Sequence, residues 1–314
     1  MKGNPSSEIP DGPLATRVTR RRVLTGGAAA AGAIGLGGLL SGCSDTKTQP
    51  STSGYVKATT IDGPLPFDDP EAAAWGQAAK SRIALIPQQM ALPNLGIATI
   101  EAIEVRALHD GSTCAFLLEW EDDQRNDLEA VTRFRDAAAV MIPMDVKGEA
   151  PSITMGAAGQ GVYIIQWKAS WQRDVEHGFQ GVEASYPRWF NDVYPGHETL
   201  AAQGMDAEAA EAFYPGLAAG NSLSNQHRRS PVEELTAEGF GSLTTLESQE
   251  AKGKGVYDGG RWKVALGPSS AAPRFGSGAT IPVAFALWDG GKEQVGARKH
   301  YVGWCDLALS SKYD

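Results

Sequence analysis

The run IATIEAIEVRALHD, residues 97–110, alternates apolar and polar side chains with the two-residue period of a β-strand. The turn pair Asp110-Gly111 ends this run, and the apolar run TCAFLLEWED, residues 113–122, follows it. Two strand-like runs on either side of an Asp-Gly turn predict a β-hairpin.

The same kind of pattern returns along the rest of the chain. Further strands are predicted in FRDAAAVMIPM (134–144), GVYIIQWKASW (161–171), FGSLTTLE (240–247), GVYDGGRWKVAL (255–266), IPVAFALW (281–288) and RKHYVGWCDLAL (298–309). Short strands separated by Gly, Pro and Asp turns indicate an all-β fold. We therefore expect an antiparallel β-sandwich of immunoglobulin-like or carbohydrate-binding-module-like outline.

Few helices interrupt this pattern. Asp69 followed by Pro70 predicts the start of a short helix, and Ser230-Pro231-Val232-Glu233 has the capping-box spacing that predicts a helix over about 231–238. Residues 172–230 form one long irregular insertion with a single probable helix at 205–214. Because loops of this length are usually functional, we expect it to face a partner or cover a ligand.

The first sixty residues have a different character from the rest. Three arginines, residues 20–22, precede a glycine-rich apolar run at 26–40, which is typical of a twin-arginine export signal. Leu40-Ser41-Gly42-Cys43 resembles a bacterial lipobox, with an ordinary cleavage site as the alternative. We expect a signal peptide at 1–42, lipidation of Cys43, a flexible tether at 43–60, and one folded domain at 61–314. The domain is expected in the periplasm or at the outer face of the cell membrane.

Charge and cysteine content narrow the classes of function. The 314-residue chain has a net charge of −9, and removal of residues 1–42 leaves 23 basic and 35 acidic residues, a balance of −12. Such an acidic domain argues against nucleic-acid binding. The two remaining cysteines, Cys114 and Cys305, form a disulfide or stay as buried thiols, and two are too few for a structural zinc site or an iron–sulfur cluster.

Common catalytic motifs are absent from residues 43–314. There is no G-x-S-x-G, Walker or H-E-x-x-H pattern, and without C-x-x-C-H a haem cannot be attached covalently. The five histidines are scattered, with no two at metal-ligand spacing. The sequence therefore predicts a protein that is not itself an enzyme.

The order of several segments carries a resemblance to a known family. The segments are DPEAAAW, IPQQMALP, HDGSTCAFLLEWEDD, FRDAAAVMIP, PSITMGAAG, VYIIQWKASW, AAGNSLS, SPVEELTAEGFGSLT, the DGGRWKV run, and IPVAFALWDG with RKHYVGW. Together they resemble the haem-binding gamma subunit of ethylbenzene dehydrogenase and dimethyl sulfide dehydrogenase. The resemblance implies a b-type cytochrome with one non-covalent haem b. It also implies an iron–sulfur beta subunit and a molybdopterin catalytic alpha subunit as partners.

The resemblance further implies a methionine and a lysine as axial ligands of the haem iron. The matching positions are Met155, in a Met-Gly step after Pro151, and Lys299. Lysine ligates only as the neutral amine, so it needs an apolar site that lowers its pKa. Strand parity places Lys299 on a mostly apolar face with Tyr301, Gly303, Cys305 and Leu307.

Other residues compete for these roles. Lys292 lies in the same connection as Lys299 but in a polar turn, and Lys168 is a second lysine that could face inward. Met90 is the main rival thioether, while Met141 and Met144 are expected to pack in a strand. Arg133, Arg135, Arg274 and Arg298 are candidates for the haem propionates.

The combined expectation is a lipid-anchored, exported electron-transfer subunit of a molybdenum oxidoreductase complex. The alternative is an exported carbohydrate- or ligand-binding sandwich without haem, since the chain has eight tryptophans that could stack on sugars.

Overall fold

The computed structural model describes residues 54–186, 216, 219, 221–274, 276 and 278–311. Its strands are β1 (Tyr55–Thr60), β2 (Ser81–Ala84), β3 (Ile86–Pro87), β4 (Ala102–His109), β5 (Cys114–Glu121), β6 (Ala137–Pro143), β7 (Val162–Lys168), β8 (Val232–Ala237), β9 (Thr244–Thr245), β10 (Lys252–Asp258), β11 (Arg261–Gly267), β12 (Thr280–Trp288), β13 (His300–Tyr301) and β14 (Cys305–Leu309). The α-helices are α1 (Ala169–His177) and α2 (Val182–Ser185). Short 3-10 helices span Ala73–Gln77, Ser222–Ser224 and Gly290–Lys292.

The strands form two sheets that share one strand. The first sheet has the order β10-β11-β5-β4-β1-β14-β12, with β2 also paired to β4, and the second has the order β3-β13-β12-β6-β7-β8-β9. The first half of β12 pairs with β14, and its second half, Ala284–Trp288, pairs with β6. The expected sandwich is confirmed, with one departure: β1 runs parallel to both β14 and β4.

Side-chain alternation along the strands separates two apolar layers. On β12, Val283, Phe285 and Leu287 point into the space between the sheets, while Ala284, Ala286 and Trp288 point to the outer face of the second sheet. The inner layer is the main core. Its centre is a cluster of three fully buried tryptophans, Trp120, Trp167 and Trp262, with ring centroids 4.8–6.3 Å apart.

The second apolar layer is unusual because it lies on the outer face of the second sheet and not between the two sheets. Every residue of β6 is buried, so this strand is apolar on both of its faces. Segments around residues 86–91, 153–155, 240–245 and 295–299 cover the outer face only in part, which leaves a cavity there. This layer positions the candidate site described below.

Several predicted elements are confirmed and several are wrong. The hairpins β4–β5 and β10–β11 form around Asp110-Gly111 and Gly259-Gly260 as predicted. The predicted helix at 231–238 is instead strand β8, because its acidic residues have partners across the fold. Glu233 pairs with Lys168, and Glu234 accepts hydrogen bonds from Tyr163 Oη and from the backbone N–H of Ala251.

The remaining differences concern where elements begin and end. Asp69 caps a turn by accepting from the N–H of Glu71, and the helix that follows is a 3-10 helix starting only at Ala73. Residues 169–177, expected as strand end and irregular insertion, form helix α1. Tyr55–Thr60, expected in the tether, form strand β1 in the middle of a sheet. The helix expected at 205–214 lies outside the described residues.

Both cysteines of the folded domain are buried free thiols. Burial raises the pKa of Cys305 to about 11 and raises that of Cys114 further, so both stay protonated and unreactive at neutral pH. No helix in the described ranges has the length and hydrophobicity of a membrane span.

Candidate functional site

A cavity of about 550 Å³ opens on the outer face of the second sheet. Its floor carries small side chains from neighbouring strands, among them Ala139 of β6 and Ala284 and Ala286 of β12. Because these side chains end at Cβ, they leave depth above the sheet between larger neighbours such as Met141 and Trp288. The volume lies within the roughly 300–1,000 Å³ range of small-molecule and cofactor sites.

Lys299 faces this cavity from the residue before β13. Its side chain is partly buried. The amine lies 5.3 Å from the ring centroid of Trp288, and no carboxylate or hydrogen-bond partner reaches it among the described residues. Burial alone lowers the pKa of Lys299 to about 8. The arrangement presents an amine that loses its proton easily.

The residue after Lys299 fixes its backbone. His300 is fully buried on the opposite side of the strand, where its Nε2 accepts from the N–H of Thr99 at 2.9 Å and of Ile100 at 3.3 Å. Its Nδ1 lies 3.2 Å from Oε1 of Gln294, which assigns the proton to Nδ1. Burial lowers the pKa of His300 to about 4, so the ring stays neutral and acts as an anchor.

Strand parity was right for the start of this segment and wrong for its end. Lys299 and Tyr301 both line the cavity, as predicted. Cys305 and Leu307 face the core between the sheets instead. The chain leaves the second sheet after Tyr301 and joins the first sheet at Cys305, so the predicted strand 298–309 is two short strands with a break between them.

Met155 enters the same cavity from a turn at 153–155. Its backbone has φ of 67°, a left-handed conformation that is uncommon for a non-glycine residue. The N–H of Gly239 donates to the Met155 carbonyl at 2.8 Å and holds this turn. Gly156 has φ of 87°, and a Cβ there would lie 2.5 Å from the Gln160 carbonyl oxygen. The backbone therefore requires glycine at position 156, whereas Met155 occupies a conformation that non-glycine residues seldom adopt.

A hydrogen bond ties the methionine turn to the lysine segment. The indole Nε1 of Trp304 donates to the carbonyl of Pro151 at 2.7 Å. Segments that are far apart in sequence thereby bring a thioether and an amine to one apolar cavity. The sequence offered no signal for this contact, since Trp304 looked like an ordinary strand residue.

The rival methionines differ in position. Met90 lines the cavity near its mouth, and its sulfur accepts from the Tyr301 hydroxyl at 3.9 Å. Met141 packs in β6 as expected, and it also lines the cavity. Met144 was expected to pack but is 49% exposed beyond the end of β6 and does not line the cavity.

The rival lysines already have carboxylate partners. Lys292 is exposed, lies outside the cavity and pairs with Asp123 at 3.2 Å. Lys168 does line the cavity, but it forms a buried ion pair with Glu233 and lies 4.2 Å from the ring centroid of Trp171. Burial lowers the pKa of Lys168 to about 8.

Of the four candidate arginines, Arg135 lines the cavity. It pairs with Glu129, and its Nε is buried without a hydrogen-bond partner within the described part of the chain. Arg133 is exposed, and Arg274 lies elsewhere, beside Ser112. Arg298 does not line the cavity.

The described tryptophans offer no exposed sugar-stacking surface. Trp75, Trp120, Trp167, Trp171, Trp262 and Trp288 are at most 8% exposed, and Trp304 is half-buried. Trp189 lies outside the described residues.

Comparison with known proteins shows the family to which this chain belongs. The family model described as ethylbenzene dehydrogenase matches residues 72–300, which include both Met155 and Lys299, and the chain belongs to this family. A curated relative from Haloferax mediterranei, named "Putative respiratory nitrate reductase heme subunit ORF7", is 23% identical over 75% of this chain. The match spans 66% of that relative's length, just under two thirds.

Two solved structures are similar in outline only. Both are family 9 carbohydrate-binding modules from Caldicellulosiruptor kristjanssonii. The complex with cellotriose is 8% identical, and the match covers 83% of this chain and 95% of the module. The complex with glucose is 9% identical, with 82% and 97% covered, and each match has a TM-score of 0.33.

Proposed function

We propose that this chain is the haem subunit of an exported respiratory molybdoenzyme complex and that it transfers electrons without substrate chemistry of its own. The observation that carries the proposal is one apolar cavity lined by both Met155 and Lys299, a lysine of lowered pKa whose amine has no carboxylate partner among the described residues. Family membership and the named function of the Haloferax relative point the same way.

The residues of the cavity fit a non-covalent haem b. A haem supplies one-electron redox chemistry, and its potential depends on its axial ligands and on burial. Met155 offers a soft thioether, and Lys299 offers an amine whose proton is already weakened by burial. The small side chains of Ala139, Ala284 and Ala286 leave space above the sheet for a ring. Arg135 is the candidate for a propionate, because it lines the cavity and its Nε has no hydrogen-bond partner among the described residues.

The proposed partners are an iron–sulfur beta subunit and a molybdopterin alpha subunit. The proposed location is the outer face of the cell membrane, reached by the twin-arginine route and kept there by a lipid on Cys43. The signal at 1–42 and Cys43 lie outside the described residues. Replacing Cys43 by Ala should move the protein from the membrane fraction to the soluble fraction, and an unchanged distribution would contradict the anchor.

An absorption spectrum tests the central proposal. The mature chain, expressed with ample haem, should show the sharp α and β bands of a reduced b-type cytochrome. Met155→Leu and Lys299→Leu should each shift or abolish these bands. The matched controls Met144→Leu and Lys292→Leu change residues outside the cavity and should leave the spectrum unchanged.

Two outcomes would contradict the proposal at different levels. A colourless wild-type protein would refute haem binding and leave the ligand-binding sandwich as the better hypothesis. A coloured protein whose bands survive Met155→Leu but not Met90→Leu would keep the haem and overturn the choice of methionine.

A further inference from the structure

Three buried aspartates meet away from the cavity, where three loops converge. Asp122 follows β5, Asp136 precedes β6 and Asp289 follows β12. They are 5%, 0% and 4% exposed, and one carboxylate oxygen from each lies within 4.8 Å of the others.

One oxygen of these carboxylates has no hydrogen-bond donor beside it among the described residues. Oδ1 of Asp122 accepts from the N–H of Gln124 at 3.1 Å. Its Oδ2 is buried and has no hydrogen-bond partner in the part of the chain that the structure describes. A buried carboxylate oxygen without a partner is costly unless a proton or a cation satisfies it.

The surroundings supply only part of the missing positive charge, since the charge of Lys292 partly offsets the rise that burial causes in the pKa of Asp289. Within the described ranges, none of the three aspartates forms an ion pair with a basic side chain; the nearby Lys292 pairs with the exposed Asp123 instead. Burial is the largest cause that raises the pKa values of Asp122 and Asp136, to about 7 and about 6. Mutual repulsion among the carboxylates adds to the rise.

We propose that Asp122, Asp136 and Asp289 bind one calcium ion. All three donors are carboxylate oxygens, which hard divalent cations prefer. Ca²⁺ takes about 6–8 oxygen ligands, whereas Mg²⁺ usually keeps several waters and binds through only one or two carboxylates. Three buried carboxylates whose oxygens lie within 4.8 Å of one another therefore suit Ca²⁺ better than Mg²⁺.

A neutral side-chain oxygen, Oε1 of Gln124, shares the space beside Gly291 with one of these carboxylates. It lies 3.4 Å from the point where a Cβ of Gly291 would be, and Oδ1 of Asp289 and Nδ2 of Asn126 lie 3.3 Å and 3.1 Å from the same point. Gly290 packs its backbone against Phe134 so tightly that a Cβ would lie 2.2 Å from the Phe134 carbonyl oxygen. The loops are thus already held together around the carboxylates.

The ion would link the site to the lysine segment. Asp289 begins the turn that leads to Gln294, whose Oε1 accepts from the N–H of Asp289 at 3.0 Å and lies beside the His300 ring. A bound ion that holds Asp289 in place would therefore also hold the side chain of His300, which anchors the backbone next to Lys299. The calcium site itself stands whether or not the chain binds haem.

Calcium binding is measured on the purified mature protein after treatment with EDTA and dialysis. Isothermal titration with CaCl₂ should give one ion per chain. A calcium concentration about 100 times the Kd should raise the Tm by roughly 5–10 °C, and Mg²⁺ should raise it less. Asp122→Asn should weaken calcium binding at least roughly tenfold, because it removes the charge and one ligand oxygen.

The matched control is Asp123→Asn, which makes the same charge change at the neighbouring exposed residue and should keep the wild-type shift. If Asp122→Asn does not fold, Asp289→Asn is measured in the same way, and the stoichiometry of the wild type stands independently. An equal Tm in EDTA and in calcium would overturn the proposal. So would an undiminished affinity in Asp122→Asn, or an equal loss in Asp123→Asn.

Discussion

Replacing Lys299 by Leu in the haem-free protein should stabilise the fold. The buried amine has a pKa of about 8 against an ordinary value of 10.5. At about 1.36 kcal/mol for each pKa unit, this difference amounts to about 3.4 kcal/mol of destabilisation near pH 7. The Trp288 ring, 5.3 Å from the amine, offsets about 0.5–1 kcal/mol. The expected gain in the free energy of unfolding is about 2–3 kcal/mol.

The pH dependence identifies the cause of that gain. Between about pH 8 and pH 10.5, the unfolded chain holds more protons on Lys299 than the folded chain does. The stability of the wild type therefore rises with pH through that window. The difference between Lys299→Leu and wild type should be largest below pH 8 and should vanish above about pH 10.5. Lys168 titrates in both proteins, so their difference isolates Lys299.

Urea unfolding of both proteins at several pH values measures this difference. Lys292→Leu is the control, because it removes an exposed lysine and should change stability by no more than about 0.5 kcal/mol. A Lys299→Leu protein that is less stable than wild type at pH 7 would refute the reasoning. A gain in stability that persists at pH 11 would refute it too, since it would come from apolar packing alone.

Two further predictions concern packing and the buried ion pair. Gly255→Ala should destabilise the fold by about 1–3 kcal/mol, because a Cβ there would lie 2.4 Å from the Trp167 ring. Thermal unfolding measures this loss. The control is Gly76→Ala, whose added Cβ meets no atom within 4 Å and should leave stability nearly unchanged. Glu233→Gln should cost about 3–5 kcal/mol because it leaves the Lys168 amine buried and unpaired, and the double variant with Lys168→Met should recover most of the loss. Failure of that recovery would show that Glu233 acts through other contacts, such as the hydroxyl of Thr245.

Local patterns in the sequence predicted those parts of the fold that local chemistry decides. The two hairpins followed from alternation and turn residues. The Met155-Gly156 step was taken from the family resemblance, and no local pattern predicted its positive φ angles. Strand β8 was not predicted, because the capping box at Ser230 and Glu233 is a valid local signal for a helix. Partners on β7, brought close only by the complete fold, override that signal.

Helix α1 was missed although the sequence contained a signal for it. Gly178 follows His177 with φ of 83° and ψ of 166°, a conformation that is open essentially to glycine and ends the helix. The apolar strand β7 runs directly into the helix, which hid the boundary. For the site, parity found the face of Lys299 but could not predict the change of sheet after Tyr301. The change of sheet depends on which strand pairs with the segment at Cys305, and only the complete fold shows that this strand is β12.

The position of β1 has a consequence for the order in which the molecule can form. β1 pairs with β14 on one side and β4 on the other, although Tyr55 and its partner Asp306 are roughly 250 residues apart. The first sheet therefore stays open in its middle until the last strand has left the ribosome. Closure of this sheet must follow the synthesis of β14, and any truncated chain that ends before Cys305 leaves two strand edges free to pair with a neighbouring molecule.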